Sequence, residues 1–287
     1  MADTWDLIGN VINGEATGDG SGGSVSMSAD GSIVAIGATS NDGNGNNSGH
    51  VRVYALDSGT STWVQMGQDI DGEAADDLSG WSVSMSASGS IVAIGAVGND
   101  GNGSGSNSGH VRVYEYNGTT WIKLGQDIDG EATGNVSGWA VSISASGSIV
   151  AIGAIYNDGK GHTRVYEYNG TAWVQIGQDI DGEATGDASG WAVSISASGS
   201  IVAIGAVGND GNGGNSGHVR VYENISGTWV QIGQDIDGEA ADDLSFSAGD
   251  NSGHSVSISA DGSIVAIGAI YMMVMLLIVV MFEFMKY

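Results

Sequence analysis

Residues 173–223 read WVQIGQDIDGEATGDASGWAVSISASGSIVAIGAVGNDGNGGNSGHVRVYE, and this stretch decides the fold. SGWAVSIS (189–196) alternates apolar and small polar residues, as a half-buried strand does. SIVAIGA (200–206) is a nearly continuous apolar run, the pattern of an inner strand covered on both faces. HVRVYE alternates again, with Val219 and Val221 on one side and Arg220 and Tyr222 on the other. WVQIGQDI supplies a fourth strand. The connections SASGS and NDGNG carry the Asp-Gly, Asn-Gly and Ser-Gly steps that give tight turns their positive φ.

Outward from this stretch, the same text recurs. Trp5, Trp63, Trp121, Trp173 and Trp229 share one phase, at intervals of 58, 58, 52 and 56 residues. Glu15, Glu73, Glu131, Glu183 and Glu239 of a Gly-Glu-Ala motif keep the same spacing. Five units begin, the last is incomplete, and no helix pattern interrupts them. Four antiparallel strands every 50–60 residues make a β-propeller blade. The expectation is an all-β propeller of about five units spanning residues 1–271, with a β-solenoid or an open arc of blades as alternatives. The chain opens on TWDLIGN, equivalent to a fourth strand, the offset with which an N-terminal strand completes the last blade of a ring.

The units resemble the FG-GAP repeats of integrin-α-type propellers. The matching stretches are SGWSVSMSASGSIVAIGA (79–96), its copies at 137–154 and 189–206, and the later SGHVRVY. The resemblance spans nearly all of residues 5–271 and implies a propeller serving as a binding or adhesion surface, on the cell surface or secreted, for a protein or glycan ligand. One departure matters. Many FG-GAP repeats carry a calcium loop between their first two strands, whereas this turn has Asp30 and Asp261 in two units and Ser88, Ser146 and Ser198 in the others. Calcium takes six to eight oxygens, which such a turn cannot supply. The family's metal site is not carried over.

Composition excludes whole classes of function. With no cysteine, there is no disulfide scaffold, no thiolate-ligated metal and no thiol nucleophile. Thirty-three acidic against seven basic side chains give a net charge of −26, which repels nucleic acid and anionic lipid and favours cations. The 41% of hydrophobic residues, recurring in short blocks, argue for a packed core despite 50 glycines and no proline.

Candidate sites follow from the repeat. Asp69, Asp71 and Glu73, and again Asp179, Asp181 and Glu183, are calcium candidates, set against a solvated turn as the plainer reading. The NDGNG loop offers Asp100, Asn102, Asp210 and Asn212 as a ligand face. His50, His110, His162 and His218 share one phase at a strand start and are read as strand-edge packing, because blade neighbours point in different radial directions. Trp81, Trp139 and Trp191 open the first strands and are read as packing between blades, with sugar stacking as the alternative. Catalysis needs a unique cluster of nucleophile, base and orienting group. Nearly every polar residue here is a periodic copy, so the expectation is a non-catalytic module without a cofactor.

After Tyr271 the composition changes to MMVMLLIVVMFEFMKY, which holds five of the nine methionines. Residues 264–282 carry no charge until Glu283, so a hydropathy window reports a membrane span. Yet IVAIGAIY (264–271) is the repeat's own second strand. One adenine inserted after codon 271 turns Met-Met-Val into Asn-Asp-Gly and lets NSGHVRVYE come next. Residues 272–287 are therefore read as the repeat in a shifted frame, within what is expected to be a fragment of a larger protein. The N-terminus shows no signal-peptide pattern.

Overall fold

The computed structural model describes residues 6–101, 106–238, 251–270 and, for the backbone alone, 278–281. Within these residues the chain is a β-propeller arc of four complete blades followed by a three-stranded fifth. The first blade runs Ser24–Met27, Ile33–Ala38, His50–Asp57 and Thr62–Gln65, each strand antiparallel to the one before it. The second runs Ser79–Met85, Ile91–Ala96, His110–Tyr116 and Trp121–Lys123. The third runs Ala140–Ile143, Ile149–Ala154, His162–Tyr168 and Trp173–Gln175. The fourth runs Ser189–Ile195, Ile201–Ala206, His218–Ile225 and Thr228–Gln231. The expected all-β class stands, and the only helical piece described is a 3-10 turn at Asn157–Gly159.

The expected fourth strand is two strands. A glycine with positive φ (Gly67, Gly125, Gly177 or Gly233) breaks WVQIGQDI after its third residue. The first part pairs with the outer half of the third strand, and a two-residue Ile-Asp strand pairs with its start, as in His50↔Asp71 and His218↔Asp237. This break carries acidic side chains to the beginning of every third strand.

Hydrophobic burial joins blade to blade. Ala93, Val111, Val113 and Ile128 of the second blade pack against Val141, Ile143, Val150, Ile152 and Trp173 of the third. The second strands of the second, third and fourth blades are buried on both faces, as their unbroken apolar runs require, and those of the first and fifth sheets keep half-buried residues. Trp121, Trp173 and Trp229 are 3–4% exposed, and each indole Nε1 donates to a carbonyl of the preceding blade, of Met66, Leu124 and Ile176. Trp81, Trp139, Trp191 and His254 form a row along the inner strands with ring centroids 4.9, 5.0 and 5.6 Å apart. The Trp121 phase thus packs between blades, whereas the Trp81 row, with Trp81 37% exposed, lines an open surface groove.

In the fifth sheet, Ser255–Ile258 and Ile264–Gly268 are the first two strands, and Ile278–Met281 of the apolar tail takes the third-strand position beside Ile264–Ile267. The repeat pattern by itself leaves this place empty. The tail can take this place because its β-branched residues favour the extended strand conformation. Among the described residues no helix is long and apolar enough to cross a membrane.

Candidate metal centres

The third strands of the four complete blades open with Gly-His, preceded by Ser48, Ser108 and Ser216 and, in the third blade, by Lys160, and the glycine sets the environment of the histidine after it. Gly49, Gly109, Gly161 and Gly217 have φ of 69–75°, and a Cβ on any of them would strike the backbone of the serine that opens the next inner strand. Close backbone approach at this point seals the next residue inside. His50, His110, His162 and His218 are each 1% exposed. The Gly-Glu-Ala loop brings a glutamate to the imidazole from before the blade, and the Gln-Asp turn brings an aspartate from after its fourth strand.

The result is one cluster per blade: Glu15–His50–Asp69, Glu73–His110–Asp127, Glu131–His162–Asp179 and Glu183–His218–Asp235, with ligand atoms within 4.8 Å of one another. Nδ1 of His50, His162 and His218 lies 3.8–4.0 Å from the glutamate Oε2 and 3.9 Å from the aspartate Oδ2. Asp71 and Asp237 add a second aspartate at 4.0 and 3.9 Å in the first and fourth blades. These separations are too long for hydrogen bonds. Nδ1 of His50, His162 and His218 has no hydrogen-bond partner and no contact with solvent. A buried polar atom in that state costs about 1–3 kcal/mol.

The electrostatics favour the neutral imidazole at His110, His162 and His218. Burial, and then the neighbouring arginine, push His110 and His162 down to about 4 and lower His218. Burial, and then the companion aspartate, raise Asp71 and Asp181.

The carboxylates are aimed by further side chains. Arg52, Arg112, Arg164 and Arg220 pair at 3.3–3.6 Å with Oε1 of Glu15, Glu73, Glu131 and Glu183. Asn41 and Asn157 donate to the other oxygen of Glu15 and Glu131 at 3.3 and 3.2 Å, so it is the asparagine-held oxygen that faces the histidine. Gln65, Gln175 and Gln231 donate at 2.6 Å to Oδ1 of Asp69, Asp179 and Asp235, leaving Oδ2 towards Nδ1. The second blade differs: Lys123 stands in the glutamine's place and pairs with Asp127 at 2.8 Å. A cleft of about 270 Å³ opens over this cluster, lined by Glu73, Asp100, His110 and Asp127 among others.

The structure redistributes the acidic triplets read from the sequence. Asp69 and Asp71 face His50, whereas Glu73 belongs to the next cluster, with His110; Asp179 faces His162, whereas Glu183 serves His218. Asp181 pairs in the ladder opposite His162. No triplet forms a site of its own, because the strand register sends its glutamate into the following blade. Each histidine is buried at a strand start, as expected, and the four do not converge on one another; each also meets carboxylates that the linear spacing hides. In the NDGNG loops, Asp100 and Asp210 accept backbone N–H groups of Asn107 and Asn215, and Asn212 donates to the Gly238 carbonyl. Asp100 and Asp210 shape their own loops, Asn212 ties its loop to the Asp-Gly turn that follows the fourth strand, and Asn102 lies outside the described residues. In the SADGS turns, Asp30 and Asp261 accept from flanking serines, which holds both carboxyls down at about 2.

No protein-family model and no curated protein matches the chain. Solved structures do share its fold. A candidate 6-phosphogluconolactonase from Bacteroides uniformis aligns with 90% of this chain and 70% of its own, at 16% identity and TM-score 0.56. A periplasmic gluconolactonase from Pseudomonas aeruginosa aligns with 86% of this chain and 64% of its own, at 16% identity and TM-score 0.58. Hydrazine synthase of Kuenenia stuttgartiensis aligns with 91% and 59%, at 16% identity and TM-score 0.52. These likenesses show the fold. They also correct the expectation of a non-catalytic adhesion module, with its sugar-binding and membrane-anchored alternatives: the same architecture occurs in proteins named for lactone hydrolysis and hydrazine synthesis, so an array of repeated blades gives no ground for a passive role.

Proposed function

We propose that this protein binds divalent transition-metal ions, one per blade, through His Nδ1 and two carboxylates. The observation that carries the reading is the buried Nδ1 of His50, His162 and His218, without a hydrogen-bond partner and facing two carboxylate oxygens at 3.8–4.0 Å. Ligand atoms around a tetrahedral zinc ion lie about 3.3–3.5 Å apart, so each Nδ1–carboxylate separation must shorten by about half an ångström, and the set as a whole must contract from within 4.8 Å. The glutamates, 43–48% exposed at the side chain, have room for that movement. An imidazole donor favours zinc, cobalt or nickel over calcium, which takes oxygen ligands. The arginine, asparagine and glutamine partners orient the donors as outer-shell groups do.

Cobalt titration followed by absorption, with metal content measured on the dialysed protein, tests the reading. Binding of more than one ion per chain is expected, with loss of one on His162→Ala or Glu131→Gln. Oxygen-only calcium binding unaffected by His162→Ala sinks it. A ligand bound only by the native state also raises stability, by about 2.7 kcal/mol at a hundredfold excess over Kd, so chelation is expected to lower Tm.

A second reading is hydrolysis of a sugar lactone. Three protein donors leave a coordination position for water, as catalytic zinc sites do, and two proteins of the same fold bear lactonase names. The cleft over His110 gives a substrate room. Glucono-δ-lactone opening by the zinc-loaded protein, abolished by chelator and by His110→Ala, is the expected result; a rate equal to that of zinc alone removes this reading and leaves metal binding intact.

A further inference from the structure

A second aspartate divides the clusters into two kinds. Asp71 and Asp237 stand opposite His50 and His218 in the ladder, and their Oδ1 atoms lie 4.0 and 3.9 Å from the histidine Nδ1. Asp181 holds the equivalent place opposite His162. Yet among the described residues only Glu131 and Asp179 bring a carboxylate within 4.0 Å of the His162 Nδ1. A buried Nδ1 without a hydrogen-bond partner therefore faces three carboxylates in the first and fourth blades and two in the third.

The loop between the second and third strands accounts for the difference. It takes eleven residues in the first and fourth blades (39–49 and 207–217) and seven in the third (155–161). In the long form, Asn44 and Asn212 each donate at 2.9 Å to the carbonyl of the glycine after the second aspartate, Gly72 or Gly238. That bond pins the Asp-Gly turn beside the histidine. Gly43 and Gly211 close over the same aspartates, so a Cβ on either would come to 3.2 or 3.0 Å from Oδ1. The short loop, NDGKG, puts Lys160 where the asparagine stands in NDGN. The charges follow the loops. After burial and Asp69, the Asp71 carboxyl feels His50 and Glu15, whereas Asp181, after burial and Asp179, feels Lys160 and Asp158.

We infer, building on the metal-binding reading, that the first and fourth blades enclose their ion with four protein donors, whereas the third leaves one coordination position for a carboxylate or similar small anion. Closed four-donor shells are the structural kind of zinc site, and three-donor shells keep a position for water or a ligand. Asp71 and Asp237, 38% and 36% exposed at the side chain, have room to close the remaining distance. Charge favours the same division. A divalent ion with a neutral imidazole and two carboxylates makes a neutral set, which accepts an anion beside the Lys160 ammonium. A third carboxylate fills that position and leaves the set anionic, which repels a further anion.

The full chain loaded with cobalt and titrated with azide, then with acetate, tests this through its visible spectrum. Both anions are expected to shift the spectrum of part of the bound cobalt, and His162→Ala removes one anion-responsive ion per chain. Asp71→Ala with Asp237→Ala adds two responsive ions. Asn44→Ala with Asn212→Ala, which alters only exposed loop residues, moves the response in the same direction, so the test stands if the aspartate variant does not fold. A response to neither anion overturns the inference and leaves metal binding intact. So does a response that His162→Ala leaves whole, or one that both paired variants leave unchanged. A chain that binds no cobalt overturns the metal-binding reading and this inference together.

Discussion

His162 shows how one residue's setting decides its chemistry. In water its imidazole titrates near neutrality; in the fold, burial and Arg164 bring it down to about 4. A base whose folded value is depressed binds fewer protons folded than unfolded, so stability rises with pH across the interval between the two values. The metal-free protein is therefore expected to keep the full contribution of these histidines above pH 6.5 and to lose it progressively as pH falls towards 4. Denaturant midpoints across that range check this, and His162→Gln flattens the dependence. At neutral pH the imidazoles of His110, His162 and His218 carry no proton to displace, so the calorimetric enthalpy of metal binding at these three blades is expected to be independent of buffer ionisation. Lys123 makes a second test at the same scale. Its ammonium holds Asp127 at 2.8 Å where glutamines hold the other aspartates, and it adds positive charge beside the cluster. Lys123→Gln is expected to tighten metal binding at the second blade by about tenfold, equivalent to 1.4 kcal/mol, and unchanged affinity there counts against the site.

The strand and the turn are the next level, and glycine tests them cleanly. Gly153 lies in a second strand, and a Cβ there meets the carbonyl of Gly190 in the following blade. Backbone cannot step aside, so Gly153→Ala is expected to cost about 3 kcal/mol by forcing two blades apart. Gly170 has φ of 98° but open space around it. Gly170→Ala meets only backbone strain, about 1–2 kcal/mol. Equal losses in the two variants, measured by chemical denaturation, would falsify the view that blade contact rather than turn conformation limits stability. The sequence announces both glycines equally; only packing between blades separates them.

The whole molecule is an acidic arc with few counter-charges. At −26, the described residues form four arginine–glutamate pairs and one lysine–aspartate pair, so self-repulsion opposes the folded state. Raising salt from about 0.05 to about 1 M, which cuts the Debye length from over 10 Å to about 3 Å, is expected to raise Tm. A Tm that falls or stays level would show that specific pairs outweigh the net field.

The sequence by itself determined the blade. Its Trp and Glu phases, its alternating and continuous apolar strands and its Gly-centred turns are all local patterns, and local patterns suffice where each unit repeats the same hydrophobic problem. It also showed that residues 272–287 depart from the repeat. Only the tertiary structure decided that Glu73 and Asp71 part company, that the Gln-Asp turn folds back to a histidine in its own blade, and that Nδ1 of His50, His162 and His218 is sealed from water. The reason is physical. A ligand set drawn from positions up to 54 residues apart, as in Glu15 to Asp69, is fixed by strand register and by blade-on-blade burial, and neither is written in the spacing of any one segment.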